Sequence, residues 1–329
     1  MKKEKFISVI FVLIISFGIN IHLCNSDNNS IQEYRVVKLN ISKTILGLEE
    51  HNPILIDSND DFETLNFTGE GTELEPYIIA NLYINASGTT NGIEIHNTGV
   101  HFEIRNCTIE TDYIGILLSA VAASTSKIID NFCVSKSGDG GGIGLSGTYG
   151  CNITDNECAY FMQGIHLNNA HNNIITNNII PVSNYQGINI RYSNYNEITY
   201  NRIQYSQQHG LAFVGTAHDN IIHHNTFINN SLVDEYLIDG ERSGAIGSQG
   251  YDEGSNNIWY DEDGKYGNSW SDYNGRGSYS IDGPADAKDS YPLELTYTEG
   301  SPISIVTILT SIVAISIYYL IHREKKSKY

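Results

Sequence analysis

Four copies of one short pattern, between residues 142 and 230, decide the fold of this chain. They are Gly142-Ile-Gly-Leu, Gly164-Ile-His-Leu, Gly187-Ile-Asn-Ile and Gly210-Leu-Ala-Phe, and they follow one another at steps of 22, 23 and 23 residues. Self-similarity at a period of about 20–50 residues is typical of a repeat architecture. Within each copy, two apolar residues point to one side of a strand and the residue between them points to the other. Each copy therefore predicts a short strand with one buried face.

A second run of β-branched residues follows in each period, for example Ile174-Ile175 and Ile221-Ile222. Such residues favour strands. No run keeps apolar residues at helical spacing for long enough to form a helix, which disfavours leucine-rich and helical repeats. Two or three short strands in each period of about 23 residues predict an all-β fold. The expected architecture is a single-stranded parallel β-helix, a solenoid whose coils stack ~4.8 Å apart.

One asparagine recurs in each coil, two residues before an apolar or cysteine residue. Asparagine tolerates the left-handed conformation that a sharp corner needs, and stacked asparagines bond to one another through their amides. An Asn-rich chain could also scatter this residue without a structural role, but its fixed phase favours a ladder. The predicted members of the ladder are Asn131, Asn156, Asn177, Asn201 and Asn225.

The repeat resembles that of right-handed β-helix proteins, the group that includes pectate-lyase-like enzymes and NosD, an accessory protein for copper-site maturation in nitrous oxide reductase. Pro53-Ile-Leu-Ile-Asp resembles part of the opening segment of archaeal NosD-like surface proteins. Gly267-Asn-Ser-Trp-Ser-Asp-Tyr-Asn-Gly resembles their terminal segment. The resemblance covers roughly residues 50 to 295. It implies a right-handed coil, and it is more specific for the fold than for an activity.

The segments outside the clear repeats predict how the chain is organised. Residues 1–26 combine a basic start with an apolar run, which is typical of a signal peptide. We expect residues 27–75 to form a leader that caps the first coil, because the end of a solenoid exposes apolar surface and strand edges. The coils are predicted over residues 76–230. Residues 231–300 are interpreted as an insertion followed by a closing segment with both tryptophans.

A membrane anchor is predicted at the far end of the chain. Residues 303–321 form a run of 19 residues without a charge, long enough to cross the ~30 Å hydrocarbon core as a helix. The basic tail at residues 322–329 follows, and the positive-inside rule places it in the cytoplasm. We therefore predict a single-pass protein of the cell membrane with a large extracellular N-terminal domain.

The net charge excludes one class of partner. The formal charge is −19 in total, and the two predicted membrane-directed ends contribute +2 (residues 1–26) and +3 (residues 303–329), which leaves −24 for the rest. A chain this acidic is not a nucleic-acid binder, because neutralising phosphates requires clustered Lys and Arg. It is compatible with a soluble, self-repelling surface protein, or with affinity for divalent cations or a cationic partner.

The cysteines do not form a recognisable disulfide framework or metal-ligand spacing. Cys133 and Cys158 follow coil asparagines at the same offset, so we expect them to stack inside as small apolar residues. A bond between them stays open, although in-register neighbours seldom have good disulfide geometry.

The outward positions of the repeated strands form two predicted columns. The first column is Glu94, Leu117, Gly144, His166, Asn189 and Ala212, and the second is His96, Ser119, Ser146, Asn168, Arg191 and Val214. Asparagine, histidine and arginine can hydrogen-bond sugar hydroxyls, although the columns could also be an ordinary solvated face. The predicted ligand-binding residues are Glu94, His96, His166, Asn168, Asn189 and Arg191.

Cleavage chemistry is less well supported by these columns. Glycoside hydrolysis needs two carboxylates, and the columns supply only Glu94. Elimination needs a basic residue beside acidic Ca²⁺ ligands, and Arg191 stands nearly alone. We predict no catalytic residue, and a role in carbohydrate or envelope binding or as a surface scaffold. A polysaccharide lyase or glycoside hydrolase is one alternative, and a NosD-like copper-handling accessory protein is another.

No cofactor is required by the sequence, although Ca²⁺ and copper stay open. His209, His223 and His224 are weak copper candidates because imidazole suits copper. Asp130 and Asp155 precede coil asparagines in adjacent turns and could bind Ca²⁺, although solvated corners explain them as well. We predict no metal site.

Overall fold

A computed structural model describes residues 47–88, 90–231 and 247–295, together with two short antiparallel strand pairs. The pairs are Asn20–Ile21 with Leu39–Asn40, and Tyr236–Ile238 with Glu241–Ser243. The predicted membrane helix, the basic tail and nearly all of the predicted signal peptide lie outside the described residues. Within the described part of the chain, no helix is long and apolar enough to span a membrane.

Most of the described chain is a parallel β-helix of about eight coils, which confirms the predicted all-β solenoid. Three parallel sheets form its walls, and we name them sheets I, II and III, with eight, seven and ten strands. Each strand pairs in register with the strand one coil away. The right-handedness that the resemblance implies stays a prediction.

The strands have the following bounds. Sheet I consists of Ile54–Ile56, Ile93–His96, Ile114–Ser119, Gly141–Ser146, Gln163–Asn168, Ile188–Arg191, Leu211–Val214 and Gly250–Asp252. Sheet II consists of Tyr77–Ala80, Phe102–Arg105, Ser126–Ile129, Asn152–Thr154, Ile174–Thr176, Glu197–Thr199 and Ile221–His223. Sheet III consists of Glu49–His51, Leu82–Asn85, Thr108–Glu110, Phe132–Val134, Glu157–Ala159, Ile179–Ile180, Arg202–Gln204, Thr226–Ile228, Ser269–Trp270 and Leu293–Glu294.

Alternate side chains of all three sheets point inward and form one hydrophobic core. In sheet II the inward position is isoleucine in seven successive coils, and all seven are fully buried: Ile79, Ile104, Ile128, Ile153, Ile175, Ile198 and Ile222. β-Branched side chains pack well on a pleated surface, and full burial of each contributes roughly 1.5–3 kcal/mol. In sheet III, Cys133 and Cys158 pair in register and are buried as free thiols, as expected from their shared offset.

The repeated glycine follows from a close approach between coils. A Cβ atom on Gly187 would lie 2.6 Å from the carbonyl oxygen of Gly210 in the next coil. A Cβ atom on Gly142 would lie 2.6 Å from Sγ of Cys158, which points inward from sheet III. Any side chain at this position would therefore push the wall of sheet I away from its neighbours.

The corner between sheets II and III carries an amide ladder. Nδ2 and the backbone N of each member donate to Oδ1 of the next, at 2.9–3.1 Å. Its members are Asn131, Asn156, Asn178, Asn201, Asn225 and Asn268.

The prediction of Asn177 as a ladder member was wrong. The ladder contains Asn178, and Asn177 has a φ of +56°. The left-handed residue of this corner is the one that precedes the ladder asparagine, as Asp155 precedes Asn156. Ile180 points inward and Ile179 points outward. The ladder asparagine is therefore the one two residues before Ile180, which is Asn178. Two adjacent asparagines and two adjacent isoleucines left this phase ambiguous in the sequence.

A second amide ladder, which the sequence analysis missed, lies at the corner before sheet II. Its contacts are 2.8–3.0 Å long and join Asn173, Asn196, Asn220 and Asn257. A shorter third stack follows sheet III, where Asn230 donates through N and Nδ2 to Oε1 of Gln249 at 3.0 Å.

Each of these ladders ends on a carboxylate of the C-terminal segment. In the first, Oδ2 of Asp289 accepts hydrogen bonds from N of Asn268 at 2.7 Å and from Nε1 of Trp270 at 3.0 Å. Each ladder member donates to the next member along the chain, so the last member needs a further acceptor. An ionised carboxylate suits this position because it can only accept hydrogen bonds. The other two ladders end in the same way, Asn257 on Asp252 and Gln249 on Asp272.

Aromatic residues close both ends of the core. At the N-terminal end, Phe62 in the helix Asp60–Thr64 is fully buried and stacks on Tyr77, with ring centroids 4.8 Å apart. At the other end, Trp270 stacks between Phe227 and Tyr279, at 4.3 and 4.1 Å. A final antiparallel pair, Tyr279–Ser280 with Lys288–Asp289, lies beside it. Parallel pairing thus begins before residue 76 and continues beyond residue 230.

Candidate functional site

The outward face of sheet I carries both predicted columns in register. The first column follows the strand pairing through Glu94, Leu117, Gly144, His166, Asn189 and Ala212. The second follows it through His96, Ser119, Ser146, Asn168, Arg191 and Val214. The six predicted ligand residues therefore share one face, but they do not form one cluster.

The N-terminal group consists of Glu94 and its two partners. Nε2 of His96 lies 2.7 Å from Oε1 of Glu94, and Nδ2 of Asn91 donates to Oε2 at 2.8 Å. The side chains of Glu94 and His96 are each about one-quarter exposed. Leu117 in the next coil interrupts the polar face, so this group is separate from the residues further along.

His166 lies in space that two glycines of the preceding coil leave open. A Cβ atom on Gly141 would lie 2.7 Å from Nδ1 of His166, and one on Gly144 would lie 2.5 Å from Nε2. Nδ1 is buried and has no hydrogen-bond partner in the part of the chain that the structure describes. Desolvation lowers the pKa of His166 to about 4. The ring is therefore neutral at pH 7, with one nitrogen that donates and one that accepts.

A line of outward amides runs beside His166, and the sequence analysis missed it. Nε2 of Gln163 donates to Oε1 of Gln186 at 3.0 Å, and Nε2 of Gln186 donates to Oε1 of Gln208 at 3.2 Å. Nδ2 of Asn189 also donates to Oε1 of Gln186, at 2.9 Å. The signal was present in the sequence, because glutamine directly precedes the repeat glycines Gly164 and Gly187, and Gln208 stands two residues before Gly210.

His209 joins this line at its C-terminal end. It is only 3% exposed, and its ring centroid lies 5.1 Å from that of Tyr251. Nε2 of His209 lies 3.5 Å from Oδ2 of Asp282, within ion-pair distance but long for a hydrogen bond. We name Gln163, His166, Gln186, Asn189, Gln208 and His209 together the polar strip.

Asp282 lies beside the strip, held by a neighbouring loop. Its Oδ2 accepts hydrogen bonds from N of Gly247 at 2.9 Å and N of Ser248 at 3.0 Å. Desolvation acts to raise the pKa of Asp282, but the neighbouring His209 and the two N–H donors outweigh it and lower the pKa. The carboxyl group is therefore ionised at neutral pH.

The other predicted residues lie elsewhere. Asn168 is exposed on the outward face, and its side chain forms no hydrogen bond with the described residues. The guanidinium carbon of Arg191 lies 5.1 Å from the ring centroid of Tyr192, a cation–π contact. Asp130 and Asp155 line a shallow groove of about 370 Å³ at the opposite corner, beside sheet III.

The histidines of the weak copper hypothesis do not converge. His209 faces outward from the sheet I side, whereas His223 ends a strand of sheet II. The Nδ1 atoms of His223 and His224 are 2.6 Å apart, the spacing of a hydrogen bond between the rings. Among the residues that the structure describes, no three His, Cys, Asp or Glu side chains are placed to hold a metal ion.

Known structures with a similar fold include three of DFA-IIIase from Arthrobacter chlorophenolicus A6. A mutant in complex with DFA-III has 14% identity and a TM-score of 0.39, over 64% of this chain and 61% of that one. The enzyme without its lid has 15% identity and a TM-score of 0.37, over 61% of this chain and 56% of that one. The complex with GF2 has 14% identity and a TM-score of 0.38, over 61% of this chain and 53% of that one. Likeness at this level concerns the fold alone.

The family comparison covers more of the chain. No curated protein matches it. The model of the family described as "Periplasmic copper-binding protein (NosD)" matches residues 50–275, the same stretch that forms the coils and the start of the closing segment. Because this match spans well over half of the sequence, the chain belongs to the NosD family.

Proposed function

We propose that this NosD-family protein binds a glycan along the polar strip on the outward face of sheet I. The observation that supports this most is the line of side-chain amides on that face, which the hydrogen bonds from Gln163 through Gln186 to Gln208 hold in place. Nδ1 of His166 lies beside this line and has no hydrogen-bond partner among the described residues. Leaving a buried polar atom unpaired costs roughly 1–3 kcal/mol. A ligand hydroxyl that reached this nitrogen would recover that free energy.

The shape of the ligand follows from the repeat. Successive coils present hydrogen-bonding groups every ~4.8 Å along the solenoid axis. Each amide has both donors and an acceptor, and part of this capacity is used within the strip. The bonds from Gln163 to Gln208 hold the remaining donors and acceptors in fixed orientations. A rigid, periodic array of this kind suits a linear polymer that lies along the axis, and sugar hydroxyls match its chemistry.

Binding is favoured over cleavage because Glu94, the carboxylate of the predicted columns, and Asp282, the carboxylate beside the polar strip, are far apart. Glu94 lies five coils before the coil of His209, against which Asp282 sits. At ~4.8 Å for each coil the separation is about 24 Å, whereas the two carboxyl groups of a glycosidase lie roughly 5–10 Å apart. Arg191, the basic residue required by the lyase hypothesis, contacts Tyr192 instead.

Copper handling, which the description of the family suggests, does not fit the described residues. The ring nitrogens of His223 and His224 bond to each other, and no third ligand is placed beside them among the residues described. The four described cysteines are buried in the core. Burial raises the pKa of Cys107 and Cys151 to about 12, so these groups are thiols and not metal-binding thiolates. No step of the proposed function uses copper.

Placement outside the cytoplasm, with a membrane anchor, is the second part of the proposal. The description of the family as periplasmic supports an extracytoplasmic domain. The uncharged run at residues 303–321 and the basic tail support the anchor. Protease added to intact cells should remove the β-helix and spare a tag placed after Tyr329. Loss of that tag would contradict the proposed topology.

The test of binding uses the full-length protein in detergent on a glycan array. The double variant His166→Ala with Asn189→Ala should lose at least about tenfold in affinity, since each side chain supplies one or two hydrogen bonds of ~1 kcal/mol. The control is Lys127→Ala with Asn152→Ala on the outward face of sheet II, which should keep wild-type affinity. Unchanged binding by the first variant would show that the strip is not the binding face.

A further inference from the structure

The polar strip differs in charge from a face that binds acidic polysaccharides. Its amides are neutral, and His166 is neutral because of its low pKa. Arg191 supplies the guanidinium group of the two outward columns, and this group lies over the ring of Tyr192. The carboxylate of Asp282 lies at one end of the strip instead, and that of Glu94 lies three coils before His166. The whole chain carries a formal charge of −19, so a uronate-containing glycan is repelled.

Asp282 has one oxygen atom free for a ligand. Its Oδ2 is taken up by the N–H groups of Gly247 and Ser248 and lies beside His209. Its Oδ1 accepts no hydrogen bond from the described residues, and the side chain is 32% exposed. The loop contacts hold the carboxylate in place, so little side-chain entropy would be lost when Oδ1 binds a ligand.

The position of Asp282 places this oxygen at the end of the strip. His209, the last member of the strip, lies 3.5 Å from the carboxylate and against the ring of Tyr251. Tyr251 pairs with Ala212, which pairs with Asn189 one coil earlier. A linear ligand that contacts Asn189 and follows the column would therefore reach the carboxylate about two coils further on.

Resting on the proposed function, we propose that the glycan carries a protonated amine, and that Asp282 binds this amine at the C-terminal end of the strip. An ammonium group next to a carboxylate forms a charge-assisted hydrogen bond, which is roughly twice as strong as a neutral one. The chemical class is thus an amino-sugar polymer with free amines, in preference to its N-acetylated form or to a polyuronate.

The experiment compares three oligosaccharides of equal length on the full-length protein in detergent. They are glucosamine oligomers, N-acetylglucosamine oligomers and galacturonate oligomers. Acetylation keeps the sugar backbone and removes the charge, so the first two ligands form a matched pair. We expect the amine form to bind at least about tenfold more tightly than the acetylated form at low ionic strength, and the ratio to shrink as salt screens the charge. The galacturonate oligomers should bind most weakly.

One variant assigns the preference to a residue. Asp282→Asn should reduce the affinity for the amine form to that for the acetylated form, while the acetylated form binds as it does to the wild type. The matched control is Asp155→Asn, an exposed carboxylate at the opposite corner, which should retain the preference.

The outcomes separate this inference from the proposed function. Equal affinity of the wild type for the amine and acetylated forms would overturn the amine inference and leave glycan binding standing. An equal loss of affinity for both ligands in Asp282→Asn would show a structural role for the carboxylate and would also overturn the amine inference. Absence of binding to any glycan would overturn both proposals.

Discussion

Two sets of side-chain amides run along this solenoid at the same spacing, one at a buried corner and one on the outward face of sheet I. They differ in how completely their hydrogen bonds are used. At the corner, Nδ2 of Asn156 donates to a ladder oxygen and to two backbone carbonyls, and Oδ1 accepts two bonds from Asn131. In the polar strip, Oε1 of Gln163 accepts no bond from the described residues, and Nδ1 of the neighbouring His166 has no partner.

The difference separates structural from ligand-binding polar groups. A buried amide with every bond filled stabilises the coil and has nothing left for a ligand. An amide fixed by one neighbour, with its other atoms free, has lost its conformational entropy and can still bind. Both kinds recur with the same period, so periodicity alone does not distinguish them. Substitutions that act on one set and spare the other test this distinction.

The largest effect is expected where two adjacent asparagines differ in role. Asn178→Gly removes a ladder side chain. The backbone N of Asn156 loses its side-chain acceptor, Nδ2 of Asn156 and Oδ1 of Asn201 each lose one of their bonds, and two backbone carbonyls lose a donor. This should cost about 4 kcal/mol of the free energy of unfolding. Asn177→Gly should change it by less than about 0.5 kcal/mol, because glycine adopts the positive φ of that position without strain. The check is the denaturation midpoint by far-ultraviolet circular dichroism. Equal midpoints for the two variants would show that the ladder does not contribute to stability.

This pair also shows what the sequence could and could not provide. Glycine and isoleucine at a fixed period predicted the parallel β-helix and the register of the outward columns, because both depend on local alternation. The phase of the ladder at residues 177–178 depends on which isoleucine points inward, and the two neighbours have the same side chain. The second ladder was hidden by the abundance of asparagine in the chain.

The candidate site was predictable only in part, for a different reason. His166 and Asn189 follow from strand alternation, and Gln186 follows from the period once it is noticed. His209 directly precedes its repeat glycine, as Gln163 and Gln186 do in earlier coils, so it also follows from the period. Its neighbour Asp282 does not, because Asp282 comes from the closing segment after an interruption of the repeat. Contacts between segments so far apart in sequence depend on how the chain folds back, and no local pattern encodes them.

The next largest effect concerns the end of the first ladder. Asp289→Asn keeps the size of the side chain, but both carboxylate oxygens accept N–H groups, from Asn268 and Trp270 on one side and Tyr291 on the other. The NH2 group of asparagine would replace one of these acceptors with a donor, which cannot pair with an N–H group. We expect a loss of about 2–3 kcal/mol, although burial raises the pKa of Asp289 and removing the charge offsets part of the loss. Asp286→Asn, at an exposed position, is the control and should leave the unfolding midpoint unchanged.

A smaller effect is expected in the pH dependence of stability. Desolvation lowers the pKa of His166 to about 4 in the folded state, against about 6.5 in the unfolded chain. The unfolded state therefore binds the proton more readily, so the contribution of a neutral His166 is complete above pH 6.5 and is lost as the pH falls towards 4. Because the ring is partly exposed, we expect about 1–2 kcal/mol over this window. His166→Gln should flatten the curve of unfolding free energy against pH by that amount. Identical curves for variant and wild type would contradict a lowered pKa of His166 in the folded state.

The smallest effect on stability, and the one that separates the two amide sets most directly, is expected for Gln186. Gln186→Ala removes a residue that joins Gln163, Gln208 and Asn189 in the strip. Gln163 is partly exposed and can bond to water once released, whereas Gln208 and Asn189 are largely buried. We therefore expect the unfolding free energy to fall by about 1 kcal/mol. Glycan affinity should fall at least about tenfold, because the donors and acceptors of three neighbours lose their fixed orientation. Asn178→Gly should show the opposite balance when measured at a temperature where it is folded, with a large loss of stability and near wild-type affinity. A Gln186 variant as unstable as the Asn178 variant would mean that the outward amides also hold the coils together.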